Sequence, residues 1–348
     1  MQFTLLLQAI PNYTRMALFA AGSCLMMAPI SQASTLDLPV ADLLTKYNMV
    51  ALGDYTTNAH TEGRFIVYGS TYGDVSGAPN TLTVTPPDES VIVGGSVNGN
   101  MTINSGNVRI STNGVNAGVL LTNGGSMATF SNGKRIQVNS GGKVILDPTM
   151  DINSSAQAMK QFAVNVGNLN NDSGASIYVN NQGDLVGNLV DSNSDGLVVV
   201  NMAFSELTEI RNNNDKSLLN QLAAVDGVVI NVTGTPTGTF KNDGWNDTFA
   251  SKMLFNFVDA TAADTIKISG SGKFWGSILA PEANINSVSN IIEGVVVANN
   301  VVTGGQELHL PALDTNFTEK LVSAVPEPST YALIFGLSAF VLVASRRR

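Results

Sequence analysis

Short apolar alternations separated by turn residues fill the segment 91–146. The apolar pieces read "VIVGGSV", "MTIN", "VRIS" and "GVLLTN", and Asn-Gly or Ser-Gly pairs stand between them. Alternating Val, Ile and Thr favour strands, whereas Asn and Gly tolerate the positive φ angles of tight turns. The pattern predicts strands of about four to six residues joined by tight turns. Both a sandwich of hairpins and a solenoid of stacked coils satisfy it.

In the second half of the chain the apolar runs are nearly continuous. Such runs favour strands that are buried on both faces. Two of them, "GSIL" from Gly276 and "GVVV" from Gly294, start 18 residues apart, a length that suits one turn of a β-helix. The sequence therefore predicts an all-β fold, a right-handed parallel β-helix (solenoid). The runs are "DGVVINV" at 226–232, "MLFNFV" at 253–258, "FWGSIL" at 274–279 and "IIEGVVV" at 291–297.

One α-helix is predicted within this β-rich chain. Apolar residues recur there at three- and four-residue spacing, and Ser154 or Ser155 is available as the N-cap. We expect the apolar stripe to pack against the sheet; the alternative is a helix that binds a partner. The stripe consists of Ala156, Met159, Phe162, Ala163, Val166 and Leu169.

The N-terminal residues 1–33 have the features of a secretory signal peptide. Arg15 supplies the positive charge, an apolar run covers 16–30, and small residues precede a cleavage point after Ala33. Cys24, the one cysteine of the chain, lies in this segment. Its surroundings also loosely fit a lipoprotein cleavage box, which is the alternative. Removal of the signal would leave a mature protein without disulfides or cysteine-based zinc sites.

At the C-terminus, residues 325–348 contain a sorting signal in three parts. The motif Val325-Pro326-Glu327-Pro328 is followed by an apolar run at 331–344 and by Arg346, Arg347 and Arg348. This order resembles the PEP-CTERM tail, and an ordinary C-terminal anchor is the alternative. The resemblance implies processing by an exosortase, with a C-terminal membrane helix that inserts transiently in the inner membrane while the arginines stay in the cytoplasm.

The charge of the chain argues against a nucleic-acid partner. Charged residues make up 13% of the sequence, against 44% hydrophobic ones. Without residues 1–33 and the three C-terminal arginines, 14 basic and 27 acidic residues remain, a net charge of −13. Contacts to phosphates need clustered cations, so we expect no nucleic-acid binding.

Five stretches between 46 and 312 resemble the choice-of-anchor A domain, in that family's order. The resemblance implies an extracellular adhesive or matrix role without enzymatic activity, and His309, in the closing Glu-Leu-His, is expected to be a polar cap. The domain would occupy 46–312, with linkers at 34–45 and 313–324. The stretches are "YNMVALGDYTTNAHTEGRFIVYG" at 47–69, "DGVVINVTG" at 226–234, "MLFNFVDA" at 253–260, "GSILAPEANIN" at 276–286 and "IEGVVVANNVVTGGQELH" at 292–309.

The strongest ligand-like motif is a possible calcium loop. Asp191, Asn193 and Asp195 alternate before Gly196, as in the first half of an EF-hand loop. The twelfth position is Met202, so the bidentate glutamate of such loops is missing. Calcium binding and a plain Asx-rich turn therefore both remain open, and no other cofactor is predicted.

Signals for catalysis are weak. His60 and His309 have no Ser/His/Asp context, and the sequence has no Gly-x-Ser-x-Gly elbow. Acids distant in sequence could still pair on a β-helix face and cleave a polysaccharide. Trp245 in a polar loop could stack on a sugar, whereas Trp275 is expected in the core. Thr81 to Thr85 reads "TLTVT", a single instance of the Thr-x-Thr pattern of ice-binding solenoids.

These observations predict an exported structural or adhesive protein of the cell surface or extracellular matrix of a Gram-negative-type bacterium. We expect it to associate with exopolysaccharide or other surface components, as in a biofilm. The alternatives are a polysaccharide-active enzyme built on a β-helix and a protein that assembles in the presence of calcium.

Overall fold

A computed structural model describes residues 36–325, except 37, 80–82, 86, 113–115, 117, 212–214, 242–245, 271 and 288–289. All of the described residues belong to one compact unit. The predicted signal peptide with Ala33, most of the sorting tail and Trp245 lie outside the described residues.

Ten parallel strands form the first sheet. Most of these strands are buried on both faces, as the continuous apolar runs predicted; Met253–Phe257 has no exposed residue. In spatial order the strands are β13 (Val144–Asp147), β9 (Asn107–Ser111), β6 (Glu89–Val93), β3 (Arg64–Val67), β1 (Tyr47–Ala51), β25 (Val296–Ala298), β22 (Ser277–Ala280), β19 (Met253–Phe257), β17 (Gly227–Thr233) and β16 (Leu197–Ala203).

Seven parallel strands form the second sheet. They are short, and within each strand one side chain points into the core while its neighbour points outward, the period-2 pattern of a strand. In spatial order they are β18 (Thr239–Phe240), β20 (Thr265–Ile268), β23 (Asn284–Ser287), β26 (Val301–Val302), β2 (Tyr55–Thr56), β4 (Thr71–Tyr72) and β7 (Val97–Asn98).

Three smaller sheets complete the β structure of the described residues. The third sheet is parallel: β21 (Lys273–Trp275), β24 (Ile291–Glu293), β27 (Leu308–His309). The fourth is mixed: β10 (Leu120–Thr122), β11 (Met127–Thr129), β12 (Arg135–Val138), β8 (Met101–Ile103), β5 (Val75–Ala78). The fifth is an antiparallel hairpin of β14 (Ser176–Val179) and β15 (Leu185–Asn188).

The chain visits these sheets in a repeating order. From β19 to β27 it passes through the first, second and third sheets three times, and from β3 to β8 it passes through the first, second and fourth sheets twice. The interior between the sheets is filled by the inward-pointing side chains of the strands, including Phe65, Phe255 and Ile278. The predicted dominance of strands is therefore confirmed, with several parallel sheets.

Six α-helices flank the strands within the described part of the chain. Three of them, with the outer face of the first sheet, build a second apolar core that contains Leu43, Met159 and Phe317. The helices are α1 (Val40–Lys46), α2 (Asn153–Gly167), α3 (Phe204–Leu207), α4 (Ser217–Gln221), α5 (Asp247–Lys252) and α6 (Thr315–Ala324), and two 3₁₀ turns lie at Asn123–Gly125 and Leu222–Ala224.

Helix α2 confirms the predicted stripe but not its predicted cap. Met159, Phe162 and Val166 are buried against the first sheet. The N-cap position is occupied by Ile152, and no side chain caps the helix there. Ser155 instead lies inside the first turn, where its hydroxyl donates to the Ile152 carbonyl at 2.8 Å and bonds the Tyr68 hydroxyl at 2.8 Å. The serine is thus used for packing against β3.

Two segments that the sequence placed in linkers are helical and packed. Leu43 and Leu44 of α1 and Phe317 and Leu321 of α6 have no exposed surface. Helix α6 begins at the Asp314 N-cap, whose carboxylate accepts from the Asn316 and Phe317 amides. The residues flanking the predicted domain are therefore part of its core.

Candidate functional surface

The outward side chains of the second sheet stand in one continuous row. Each strand contributes one residue, and the pairing register aligns these residues from one end of the sheet to the other. With about 4.8 Å between strands, the row is about 29 Å long. In spatial order it is Thr239, Lys267, Asn286, Val302, Thr56, Tyr72 and Asn98, and we call it the outer row.

Side-chain ladders hold the turns that border the outer row. Asn300 donates to the Asn284 side chain at 2.7 Å and accepts from the Asp54 amide at 2.7 Å. Asp54 in turn accepts from the Ser70 amide at 2.7 Å, and Ser70 accepts from the Ser96 amide at 3.0 Å. Because each rung ties one strand's turn to the next, the ladder holds neighbouring turns in line.

A second ladder borders the row on its other side. The Asp74 carboxylate accepts from the Asn100 amide at 2.8 Å, and Asn58 accepts from the Asp74 amide at 3.1 Å. The backbone hydrogen bond from Asn100 lowers the pKa of Asp74 below its ordinary value. The carboxylate therefore stays ionised in its turn, and two ladders frame the outer row.

The third sheet carries a cluster of titratable side chains. Its register aligns Trp275, Glu293 and His309 on adjacent strands. His309 Nδ1 lies 3.0 Å from a Glu293 oxygen, and His309 Nε2 lies 2.7 Å from a Glu307 oxygen. The cluster contains both histidines of the chain, since His60 Nε2 lies 2.8 Å from the other oxygen of Glu307.

Two more charged groups complete this cluster. Glu62 Oε1 lies 3.8 Å from His309 Nε2. The Lys273 ammonium is paired with Glu293 and stands 5.3 Å from the centre of the Trp275 ring. The three carboxylates are thus held by contacts with one ammonium group and two imidazoles.

The pKa values of the cluster follow from these contacts. Burial by itself raises the pKa of Glu293, but hydrogen bonds and charges from His309 and Lys273 outweigh burial and hold the pKa below its ordinary value. Burial by itself lowers the pKa of His309, but hydrogen bonds to Glu293 and Glu307 and the charge of Glu62 raise it above the ordinary value of an imidazole. For both groups burial is the largest single influence on the pKa, and the hydrogen bonds and neighbouring charges together outweigh it.

The candidate calcium loop turns its oxygens towards its own backbone. Asp191 accepts from the Gly196 amide at 2.9 Å, Asn193 accepts from the Asp195 amide at 3.0 Å, and Asp195 accepts from the Leu197 amide at 2.8 Å. Across the described residues, no group of three or more His, Cys, Asp or Glu side chains could hold a metal ion. Calcium binding by these three residues stays a prediction.

The remaining sequence candidates are placed only in part. Thr83 and Thr85 are exposed and belong to no strand, and Val84 between them is buried. Trp275 is half-buried beside Lys273. Val325, the first residue of the sorting motif, directly follows α6 and is buried. Pro326, Glu327, Pro328 and the three C-terminal arginines lie outside the described residues. Of the helices that are described, none combines the length and hydropathy of a membrane span.

The outer row was missed by sequence reasoning. Tyr72, Asn98 and Lys267 occupy strands of two to four residues, and nothing in their local sequence distinguishes them from other alternating positions. Their alignment depends on the register between strands far apart in the chain. The Glu293 position could have been noticed, because a single acid interrupts the apolar run "IIEGVVV".

The described residues thus combine parallel sheets with a row of aligned outward side chains. Residues 40–310 match the family model described as "Putative Ice-binding-like adhesive domain". Since the match covers most of the chain, the protein belongs to this family of adhesive-like domains. No curated protein and no solved structure matches the chain significantly.

A second family model, the PEP-CTERM protein-sorting motif, matches residues 324–348. The predicted sorting tail is therefore confirmed. An adhesive-like domain followed by this motif marks the chain as an exported, surface-directed protein that is processed by an exosortase.

Proposed function

We propose that the protein is a non-enzymatic adhesin of the cell surface or extracellular matrix, and that its outer row binds exopolysaccharide. The observation that carries the proposal is the alignment of seven outward side chains over seven strands. A regularly spaced row suits a ligand that is itself extended and repetitive.

The proposal includes a right-handed β-helix as the scaffold. Its support is the repeated passage of the chain through the same sheets, in the same order, with parallel pairing throughout the first, second and third sheets. Parallel strands joined by crossovers are right-handed in nearly all proteins. Each passage would be one coil, and the 18-residue spacing between Gly276 and Gly294 would be the length of one coil.

The chemistry of the outer row favours a glycan. Tyr72 is 41% exposed and presents a ring that can stack on the apolar face of a sugar. The amides of Asn98 and Asn286 and the hydroxyl of Thr56 offer both donors and acceptors for sugar hydroxyls. Every repeat of a polysaccharide has an apolar face for stacking and hydroxyl groups for hydrogen bonds.

Ice is the other ligand to consider, because the family description contains the term ice-binding-like. A row that matches ice would repeat one residue type, and this row instead mixes Lys267, Val302 and Tyr72. The single Thr-x-Thr stretch does not extend the row, since Thr83 and Thr85 lie outside the strands. These features support a glycan over ice.

A polysaccharide-cleaving enzyme would need carboxylates that are free to act on a sugar. Glu293 and Glu307, the acids that the third sheet brings together, are instead paired with Lys273, His309 and His60. A carboxylate with its charge neutralised by fixed partners is a poor nucleophile or base, which supports the non-enzymatic role.

The test measures binding of the purified protein to exopolysaccharide from the producing bacterium by co-sedimentation. Tyr72→Ala should weaken binding by about tenfold, because the loss of one stacked ring costs on the order of 1 kcal/mol. Tyr178→Ala is the matched control: Tyr178 is 50% exposed but lies on the fifth sheet, away from the outer row.

Three results would contradict the proposal. Equal loss of binding in both tyrosine variants would place the contact elsewhere. Shaping of ice crystals that depends on Tyr72, without glycan binding, would favour the ice ligand. Release of new reducing ends from the polysaccharide would indicate an enzyme.

A further inference from the structure

The first two sheets join chain segments from opposite ends of the fold. Strand β1 pairs with β25, and β2 pairs with β26, although about 250 residues separate the partners. A third contact of the same kind is the parallel bridge between Thr61 and Leu308. We call this set of contacts the junction. It is the place where the coils from the N-terminal half meet those from the C-terminal half.

The titratable cluster of the third sheet lies at the junction. The Glu62 amide donates to the Leu308 carbonyl at 2.9 Å, and the Leu310 amide donates to the Glu62 carboxylate at 3.3 Å. Asn48 in β1 donates to the His309 carbonyl at 3.1 Å. The contact between His60 Nε2 and the Glu307 carboxylate, at 2.8 Å, also crosses the junction. His309 is at the centre of these contacts.

The geometry around His309 requires a charged imidazole. Both ring nitrogens face carboxylate oxygens, at 3.0 Å for Nδ1 and 2.7 Å for Nε2. An ionised carboxylate only accepts hydrogen bonds, and a neutral imidazole donates from one nitrogen alone. A neutral ring would therefore set a lone pair against a carboxylate, whereas the imidazolium donates to both.

The groups that face His309 come from each neighbouring element. Glu293 lies on β24, Glu307 in the loop before β27, and Glu62 in the segment between β2 and β3. Lys273 on β21 and His60 touch the same carboxylates but not the imidazole ring. Loss of the imidazolium proton would leave three carboxylates around a neutral ring, with one lysine and His60 as their remaining partners.

We propose that His309 is a proton-operated clamp, which closes the junction when the ring is protonated and weakens it when the proton is lost. The raised pKa of His309 agrees with this proposal, because it means that the folded structure favours the protonated ring. Stability from a raised imidazole pKa is fully present below the pKa of the unfolded chain and is lost as pH rises through the folded one. The junction should therefore loosen on the alkaline side of an ordinary histidine pKa.

The test uses the full chain in detergent and two measurements over pH 5 to 10. Because the chain has only two histidines, ¹⁵N NMR of the imidazoles resolves both titrations. We expect the pKa of His309 to lie above that of an ordinary histidine. Hydrogen exchange, corrected for intrinsic rates, should show the amides of Glu62 and Leu310, both bonded across the junction, losing protection over the same pH range. The amides of Gly94 and Gly95, bonded within the N-terminal half, are the internal control.

Two variants distinguish a pH-dependent clamp from a contact that stabilises the fold equally at every pH. The His309→Gln variant should melt several degrees below the unmodified protein at pH 6 but at nearly the same temperature at pH 9. The substitution removes only the stabilisation that comes from the charged imidazolium, and the unmodified protein has lost that stabilisation at pH 9. Glu293→Gln should bring the His309 pKa down. The clamp is excluded if His309 in the unmodified chain titrates as an ordinary histidine, or if junction protection is independent of pH; both readouts remain even if a variant fails to fold.

Discussion

At the scale of single residues, close approach between elements sets the strictest requirements. Gly227 starts β17 directly under the Phe317 ring of α6. A Cβ atom on Gly227 would lie 2.0 Å from Phe317 Cδ2, far inside van der Waals contact. Only a residue without a side chain lets α6 reach the sheet at this point. The glycine is therefore a packing requirement, and the local sequence "DGVVINV" does not reveal it.

The corresponding prediction concerns Gly227→Ala. We expect a loss of about 1–3 kcal/mol in the free energy of unfolding, because the methyl group overpacks the interface. Urea denaturation measures it. Phe317→Ala should cost about 3–5 kcal/mol alone. The double variant should cost less than the sum of the two; strict additivity would mean that the two residues do not meet.

At the scale of elements, α2 is attached to the sheet by polar contacts as well as by its apolar stripe. Asn256 in β19 donates to the Ala163 carbonyl at 3.2 Å and to the Asn231 side chain at 2.9 Å. Asn231 in β17 donates to the Val166 carbonyl at 3.3 Å. The Val166 carbonyl also accepts from the Leu169 amide at 3.2 Å, so the asparagines add side-chain donors to the C-terminal part of α2 and tie it to the sheet.

Asn256→Ala tests this attachment. We expect the free energy of unfolding to fall by about 1–3 kcal/mol, because the variant removes the donor to the buried side-chain oxygen of Asn231. Thermal unfolding followed by circular dichroism measures the change. Asn201→Ala is the matched control, since Asn201 occupies the same sheet row but is exposed. A similar loss in both variants would contradict the role given to Asn256.

Helix α6 shows what element prediction from this sequence could have found. Its apolar residues Phe317, Leu321 and Val325 recur every four residues after the Asp314 cap, so the signal was present. A ten-residue helix is marginal by itself, and most of its stability comes from tertiary packing. From the sequence alone, this segment is predicted to be a linker between the domain and the sorting tail. In the structure the segment packs against an apolar surface, and this packing stabilises it as a helix.

At the scale of the whole molecule, chain order and spatial order differ. The first sheet runs outward from the pair β1 and β25, with the N-terminal half on one side and the C-terminal half on the other. The N-terminal half of the chain therefore pairs, through β1, with β25 from the C-terminal half. Neither half can cover its innermost strand without the other.

This arrangement predicts how fragments behave. Residues 36–150 and 151–325 should aggregate when expressed separately, because β1 or β25 becomes an uncovered edge strand. Co-expressed, they should associate through the junction and through α2, which packs on Val50, Ile66 and Ile92. Size-exclusion chromatography distinguishes these outcomes. A folded, monomeric 36–150 fragment would show that the junction is dispensable.

The sequence by itself determined the β-rich class, helix α2 and the sorting tail. Each of these depends on patterns within a short window: alternation in strands, a 3.6-residue period in the helix, and the ordered motif, apolar run and arginines of the tail. Such patterns are set by local geometry, so they can be read without knowing which segments meet.

The outer row, the cluster around His309 and the packing of α1 and α6 were decided only by the tertiary structure. Tyr72 and Lys267, or Glu62 and His309, come together through the register of parallel strands far apart in the chain. That register depends on how the core packs as a whole, because parallel strands are joined by long crossovers rather than by tight turns. No short window of sequence contains this information.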